Sequence, residues 1–273
     1  VRIWLQKHVI AGRMPELDAW YQDHISAVVD PGTEVAIHTL PRRAYETPVP
    51  YQYVSYGSIA LRFNQYFAET AVQAERDGYD AWVIAAGQDP GLPAARSLAT
   101  IPTLGYGNTV FNYCARNEIR FGIIGFAPGL REPIVDNIRR YRTEHWYSSY
   151  SLLPGGTGTI TSAIAGEPQQ FIDEFGSAAQ HAASEGAQVI IPAEGLPAEI
   201  LWHYGIRNEA GLQILDPLGL LLKSAETEIR LRALGCTARP ATGFWYARPP
   251  AEVSAHIDSV FAANHIEQEN RHE

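Results

Sequence analysis

YDAWVIAAGQDPGL, residues 79–92, is the stretch whose reading decides the fold. Its apolar run, residues 81–85, has no polar alternation, as expected of a strand buried on both faces in a parallel sheet. The run stops at Gly87-Gln88-Asp89-Pro90-Gly91, residue types that build tight turns. In open α/β sheets, the carboxyl ends of the strands are where ligands sit. A second stretch, GAQVIIPAEGLPAE at residues 186–199, repeats the plan, with Val189, Ile190 and Ile191 feeding a turn that carries Glu194. Each half of the chain therefore presents one strand end with a carboxylate, Asp89 or Glu194.

Working outward, RIWLQ at residues 2–6 reads as an opening strand that delivers Lys7 and His8. Leu17, Trp20, Tyr21, His24, Ile25 and Val28 fall at helical spacing within residues 14–29. Residues 33–40 alternate as a second strand, and residues 57–77 form a helix that breaks at Gly78. Between them lies a proline- and tyrosine-rich loop, residues 41–56, with Tyr51 and Tyr53; connections longer than about twelve residues are often binding loops or lids. Beyond the central strand come a short helix at residues 92–98, a strand at 101–105, and a helix capped by Asn108 or Thr109 that runs to Arg116.

The second half predicts strands at 120–125, 145–153 and 212–215, and helices at 131–142, 168–185, 196–204 and 218–234, the last stopped by Gly235. PGGTGT, residues 154–159, reads as a flexible loop; it lacks the Gly-Lys-Ser/Thr ending of a phosphate loop. Alternating strands and helices imply parallel sheets with helices on both faces, an α/β fold. The repeated unit points to a tandem duplication, with lobe 1 formed by residues 1–108 plus 216–235, lobe 2 by 109–215, and a C-terminal appendage at 236–273.

The chain has 273 residues, 46% of them hydrophobic, enough for one large domain or two small ones. A formal charge of −9 argues against nucleic acid as the main partner. No apolar run reaches the length of a membrane span and no signal-like start is visible, which gives the expectation of a cytoplasmic, non-membrane protein. Cys114 and Cys236 lack paired spacing and read as buried free thiols.

The run from Tyr79 to Phe126, with Asp-Pro-Gly-Leu, Ala-Arg and Ile-Pro at fixed spacings between two apolar strands, resembles the aspartate/glutamate/hydantoin racemase superfamily. GAQVIIPAEG and the later LDPLGLLLKSAE extend the likeness to about Leu234. The resemblance implies two flavodoxin-like parallel-sheet lobes related by a pseudo-twofold, a cofactor-free cleft between them, a small-molecule substrate and a homodimer. It also implies two cysteines that exchange protons on opposite faces of a substrate carbon. Here Ala86 stands where the family has its first cysteine and Glu194 where it has its second, so the two-thiol reaction is not available to this chain.

Glu194 is then the first candidate for general acid–base work, since a carboxyl group in a desolvated cleft is raised toward neutral pH. The plainer reading is an N-cap for the helix near Leu196. Asp89 reads more as a turn residue than as a catalyst. Lys7 is placed to neutralise a substrate carboxylate and His8 to shuttle a proton near pH 7, against the duller reading of a solvated lysine and a loop histidine. Gln88 and the backbone at Ala86 and Gly87 offer hydrogen bonds to a substrate carbonyl or anion. Tyr51, Tyr106 and Asn108 are candidate lining residues, while His203 reads as a packed helix residue. A metal site built from His8, Asp89, Glu194 and His203 has no supporting spacing, and none is assigned. These residues fit a cofactor-independent isomerase, decarboxylase (lyase) or hydrolase; a non-catalytic binder that kept the cleft is the alternative.

Overall fold

The computed structural model describes the backbone of residues 1–269 and the side chains of residues 1–260. The first half runs β1 (Arg2–Gln6), α1 (Pro15–Val28), β2 (Glu34–His38), α2 (Tyr51–Val54), α3 (Gly57–Arg76), β3 (Ala81–Ile84), α4 (Leu92–Leu98), β4 (Thr103–Gly105) and α5 (Tyr106–Arg116). The second half runs β5 (Phe121–Gly125), α6 (Pro128–Arg140), β6 (Tyr147–Leu152), α7 (Gly156–Ile164), α8 (Gln169–Ser184), β7 (Val189–Pro192) and α9 (Gly195–His203). It continues through the short β8 (Asn208–Glu209), β9 (Leu212–Ile214), α10 (Pro217–Ala233) and α11 (Ala251–Glu269).

The strands form two sheets, ordered β2-β1-β3-β4 and β6-β5-β7-β9-β8. All pairings are parallel except β8 against β9. The first four strands of the second sheet repeat the order of the first, so the α/β architecture is two flavodoxin-like lobes. Helix α10 crosses back to pack on α5, β3 and β4.

Period-two alternation within the buried strands assigns each face its own core. Ile3, Leu5, Ala81 and Val83 join an apolar cluster that continues through Ile123 and Ile191 of the second sheet. Trp4, Trp82 and Ile84 point the other way, onto Phe67, Ala71 and Leu92. Trp82 is fully buried and its indole N–H donates to Thr70 Oγ1 at 3.0 Å, the partner a buried tryptophan needs.

Three expectations are corrected by tertiary contacts. The stretch 154–159 is not a loose loop: α7 starts at Gly156, and Glu174 of α8 accepts from Gly155 N at 3.0 Å and Thr159 Oγ1 at 3.2 Å. Helix α5 begins at Tyr106 rather than at Asn108, because the Asp89 carboxylate takes the amides of Gly107 (2.9 Å) and Asn108 (2.6 Å). The 41–56 loop contains a 3₁₀ turn, Arg42–Ala44, as well as α2. Of the two thiols expected to be buried, Cys114 is, but Cys236, just past the end of α10, is exposed.

The lobes are joined where α1 meets α9. Trp20 stacks on His203 at 3.9 Å between ring centres, and His24 stacks on Trp202 at 4.3 Å. His24 is also held between two carboxylates: Nδ1 lies 3.1 Å from both Glu199 oxygens and Nε2 lies 2.9 Å from Asp216 Oδ2. Burial lowers its basicity, but hydrogen bonds to Asp216 and Glu199 and their charges outweigh burial and raise its pKa to about 9. The imidazolium is therefore the form that cross-links the lobes at neutral pH.

Removing His24 leaves two carboxylates uncompensated in the joint. The variant His24→Leu is expected to lose about 3–5 kcal/mol of stability at pH 6 in urea unfolding. Because the folded pKa is raised, the wild-type contribution is full below about 6.5 and disappears as pH rises through about 9. The unfolding midpoint of the wild type should fall over that window more steeply than that of the variant.

Candidate active site

The central strands of both sheets end on the same gap. β1 delivers Lys7 and His8, β3 delivers Ala86, Gly87 and Gln88, β5 delivers Phe126 and Ala127, and β7 delivers Glu194. The two strand ends almost touch: a Cβ on Gly87 would collide with the carbonyl oxygen of Ala193. Only a residue without a side chain permits that approach. The ends enclose a cavity of about 50 Å³ whose polar lining is Lys7, His8, Tyr21, Gln88 and Glu194. The 41–56 segment closes it with Val49, Tyr51 and Val54, and Ser55 rests against Gly129 of α6.

Glu194 occupies the N-cap position of α9, yet its side chain makes no capping bond there. It turns toward the start of α6 and accepts long hydrogen bonds from Phe126 N (3.3 Å) and Ala127 N (3.4 Å). The side chain lines the cavity and the residue is 5% exposed. Burial pushes its carboxyl up to about 8, with the two amides pulling the other way. At pH 7 it is mostly the neutral acid, poised close to its titration point. Gly125 leaves the room it needs: a Cβ there would sit 2.9 Å from Glu194 Oε1 and 2.6 Å from the Tyr150 hydroxyl. That hydroxyl is buried and has no hydrogen-bond partner among the described residues.

Lys7 is 1% exposed, and its ammonium pairs with Asp18 Oδ1 at 2.7 Å and lies 4.4 Å from the centre of the Tyr21 ring. Burial lowers its pKa, opposed by the hydrogen bond and charge of Asp18. The plain reading of a solvated lysine is thereby excluded. His8 is packed edge-on against Phe63 and Phe67 and has no charged partner; burial lowers its pKa to about 3. It stays neutral at pH 7 and does not titrate in the range a shuttle near neutrality requires. Nε2 lies 3.3 Å from the Gln88 amide nitrogen, while Nδ1 is buried with no hydrogen-bond partner among the described residues.

Other candidates fall outside the cavity. Tyr106 is buried in the lobe joint, donating to Pro192 O at 2.9 Å and Glu194 O at 3.3 Å, so it holds the β7 strand end from behind. Asn108 faces a separate basin, its Oδ1 accepting from Arg96 at 2.8 Å. Asp89 sits at φ 50° and accepts from Gly107 N, Asn108 N and the Tyr141 hydroxyl (2.8 Å), as a turn residue that caps α5 would. His203 packs on Trp20, and among the described residues no cluster of His, Cys, Asp or Glu has metal-holding geometry. No described helix is long and apolar enough to cross a membrane. Sequence reasoning missed Asp18, Tyr21 and Tyr150. Tyr21 was visible only as an apolar helix position, and Tyr150 as a strand residue.

Comparison with known proteins gives the geometry its context. A family described as Asp/Glu/Hydantoin racemase matches residues 52–225. The hydantoin racemase of Paenarthrobacter aurescens is 25% identical over 165 residues, spanning 60% of this chain and 67% of that protein. The allantoin racemase structure from Klebsiella pneumoniae superposes with a TM-score of 0.68 at 20% identity, over 91% of this chain and 94% of that one. Unliganded arylmalonate decarboxylase superposes with a TM-score of 0.50 at 14% identity, over 90% and 98% of the two chains.

A carboxyl whose pKa rises on folding destabilises the folded state once it ionises. Wild-type stability should therefore decline as pH rises from 4.5 through about 8, the window between the free and folded values of Glu194. Glu194→Gln should remove this carboxyl's share of the decline, leaving the part His24 imposes above about 6.5, and be more stable than wild type at pH 9 by a few kcal/mol, read from urea midpoints.

Proposed function

The chain belongs to the Asp/Glu/hydantoin racemase family, and from that premise we infer a cofactor-independent enzyme in which Glu194 moves a proton on a small carboxylate, cyclic amide or related carbonyl compound. The observation that carries this reading is the cavity-lining Glu194 carboxyl, raised by burial to about 8 and so able to give or take a proton near neutral pH. The facing strand end supplies Ala86, which holds no proton to exchange. Inverting a carbon centre by a two-base route needs a proton taken from one face and returned on the other. One-sided chemistry follows instead: isomerisation, decarboxylation, or hydrolysis by a water that Glu194 activates.

Lys7 supplies positive charge for a substrate carboxylate or for negative charge that develops on a carbonyl oxygen. In this reading the Gln88 amide and the backbone at Gly87, both in the cavity lining, orient the substrate. Allantoin, hydantoins and arylmalonates, the compounds in the relatives' names, make the first panel to try.

The test is kinetic. On a turned-over compound, Glu194→Gln should lower kcat by about 10²- to 10⁴-fold with a modest change in KM. In the wild type, kcat/KM should show a limb with an inflection near 8, rising with pH if Glu194 acts as base and falling if it acts as acid. Tight binding of a panel compound with no turnover in the wild type would instead identify a ligand-binding protein.

A further inference from the structure

The C-terminal appendage builds a second site, remote from the interlobe cavity. Residues 236–250 fold back over the outer edge of the first sheet, where β4 is the terminal strand. A polar basin of about 310 Å³ lies between that segment, α4, β4 and the end of α10. Its lining brings together Arg96, Arg232 and Arg239 against a single carboxylate, Glu228. In a chain whose formal charge is −9, that local excess of positive charge is a departure.

Backbone and side-chain contacts fix each guanidinium without exhausting it. Arg96 donates to Thr103 O (3.4 Å) and Asn108 Oδ1 (2.8 Å). Arg232 donates to Thr100 O (2.7 Å) and pairs with Glu228 at 3.0 Å. Arg239 reaches from the appendage to Arg96 O (2.9 Å), Ser97 O (3.0 Å) and Tyr246 O (2.6 Å). A guanidinium carries five N–H donors, so each retains donors beyond these bonds. The Nε of Arg239 is buried with no acceptor among the described residues, a group that ordinarily finds one. Three pre-oriented cationic forks against one opposing carboxylate form a host for an oxyanion, whose oxygens accept paired N–H bonds from arginine.

We propose that this basin binds a small molecule bearing phosphate or carboxylate groups and that the ligand clamps the C-terminal segment onto the first lobe. The segment is otherwise lightly held, with Phe244 85% and Trp245 53% exposed. Arg239 is the residue through which binding would reach it, since the same guanidinium spans α4 and Tyr246.

The experiment uses the full chain, with inorganic phosphate and citrate as probes and sodium chloride at matched ionic strength as control. Calorimetric titration should show saturable binding of at least one probe beyond chloride. Arg232→Gln and Arg239→Gln should each weaken it by about tenfold or more, the scale of a lost charge-assisted hydrogen bond. Phosphate alone identifies a phosphoryl ligand, and citrate alone a carboxylate one. The saturating probe should also slow chymotrypsin cleavage at Phe244–Tyr246 in the wild type, a readout independent of any variant's folding. Binding no stronger than chloride, affinity unchanged in both arginine variants, loss of binding in Lys7→Met, or unaltered cleavage would each overturn the proposal.

Discussion

The closeness of two backbones governs this molecule. Gly87 and Ala193 come from the ends of β3 and β7, in different lobes, and they pack so tightly that no side chain fits between them at Gly87. With that contact made, the C-terminal ends of all the central strands open on one enclosed space, and whatever follows them is held near its neighbours. The contact is surrounded by bonds that cross the same joint. Tyr106 holds the carbonyls of Pro192 and Glu194, Asn137 of α6 donates to Gln88 O at 2.7 Å, and Tyr141 reaches Asp89. The His24 imidazolium and the Trp–His stacks secure the far side.

Burial at this joint gives the side chains their character. Glu194, Lys7 and His8 are ordinary in type, but desolvation shifts each toward its uncharged form by a different amount. Glu194 has only two long amide contacts to oppose it and ends near neutrality. Lys7 keeps a direct carboxylate partner in Asp18. His8 has only aromatic edges and one amide around it, so nothing favours the imidazolium. Three neighbours in one cavity thus hold three protonation behaviours.

Most of the fold was legible in the chain because its strands are buried on both faces and its helices are amphipathic, patterns that survive without tertiary knowledge. The runs 81–85 and 189–191 announced β3 and β7, and the turns after them announced where the cavity would be. The 154–159 stretch misled because its glycines are read locally as loop, whereas Glu174, fifteen residues or more along the chain, supplies the partners that make it a helix start. The Glu194, Lys7 and Gln88 positions were visible as strand-end residues. Asn108 was not placed correctly, since one helical residue separates it from Tyr106 and the Arg96 contact turns it to the opposite side. Tyr150 was visible only as a strand residue: its isolation beside Glu194 depends on Gly125 in another strand.

The contact between Ser55 and Gly129 carries a consequence for timing. Residues of the 41–56 segment wall the cavity from the first lobe while leaning on a helix of the second. A change in that lean would move Val49, Tyr51 and Val54 against the cavity they line. Segments that bridge two lobes in this way move on the microsecond-to-millisecond scale, and a rate set by such a motion follows solvent viscosity. Ser55 is the residue at that seam, and it sets how firmly the two lobes share one wall.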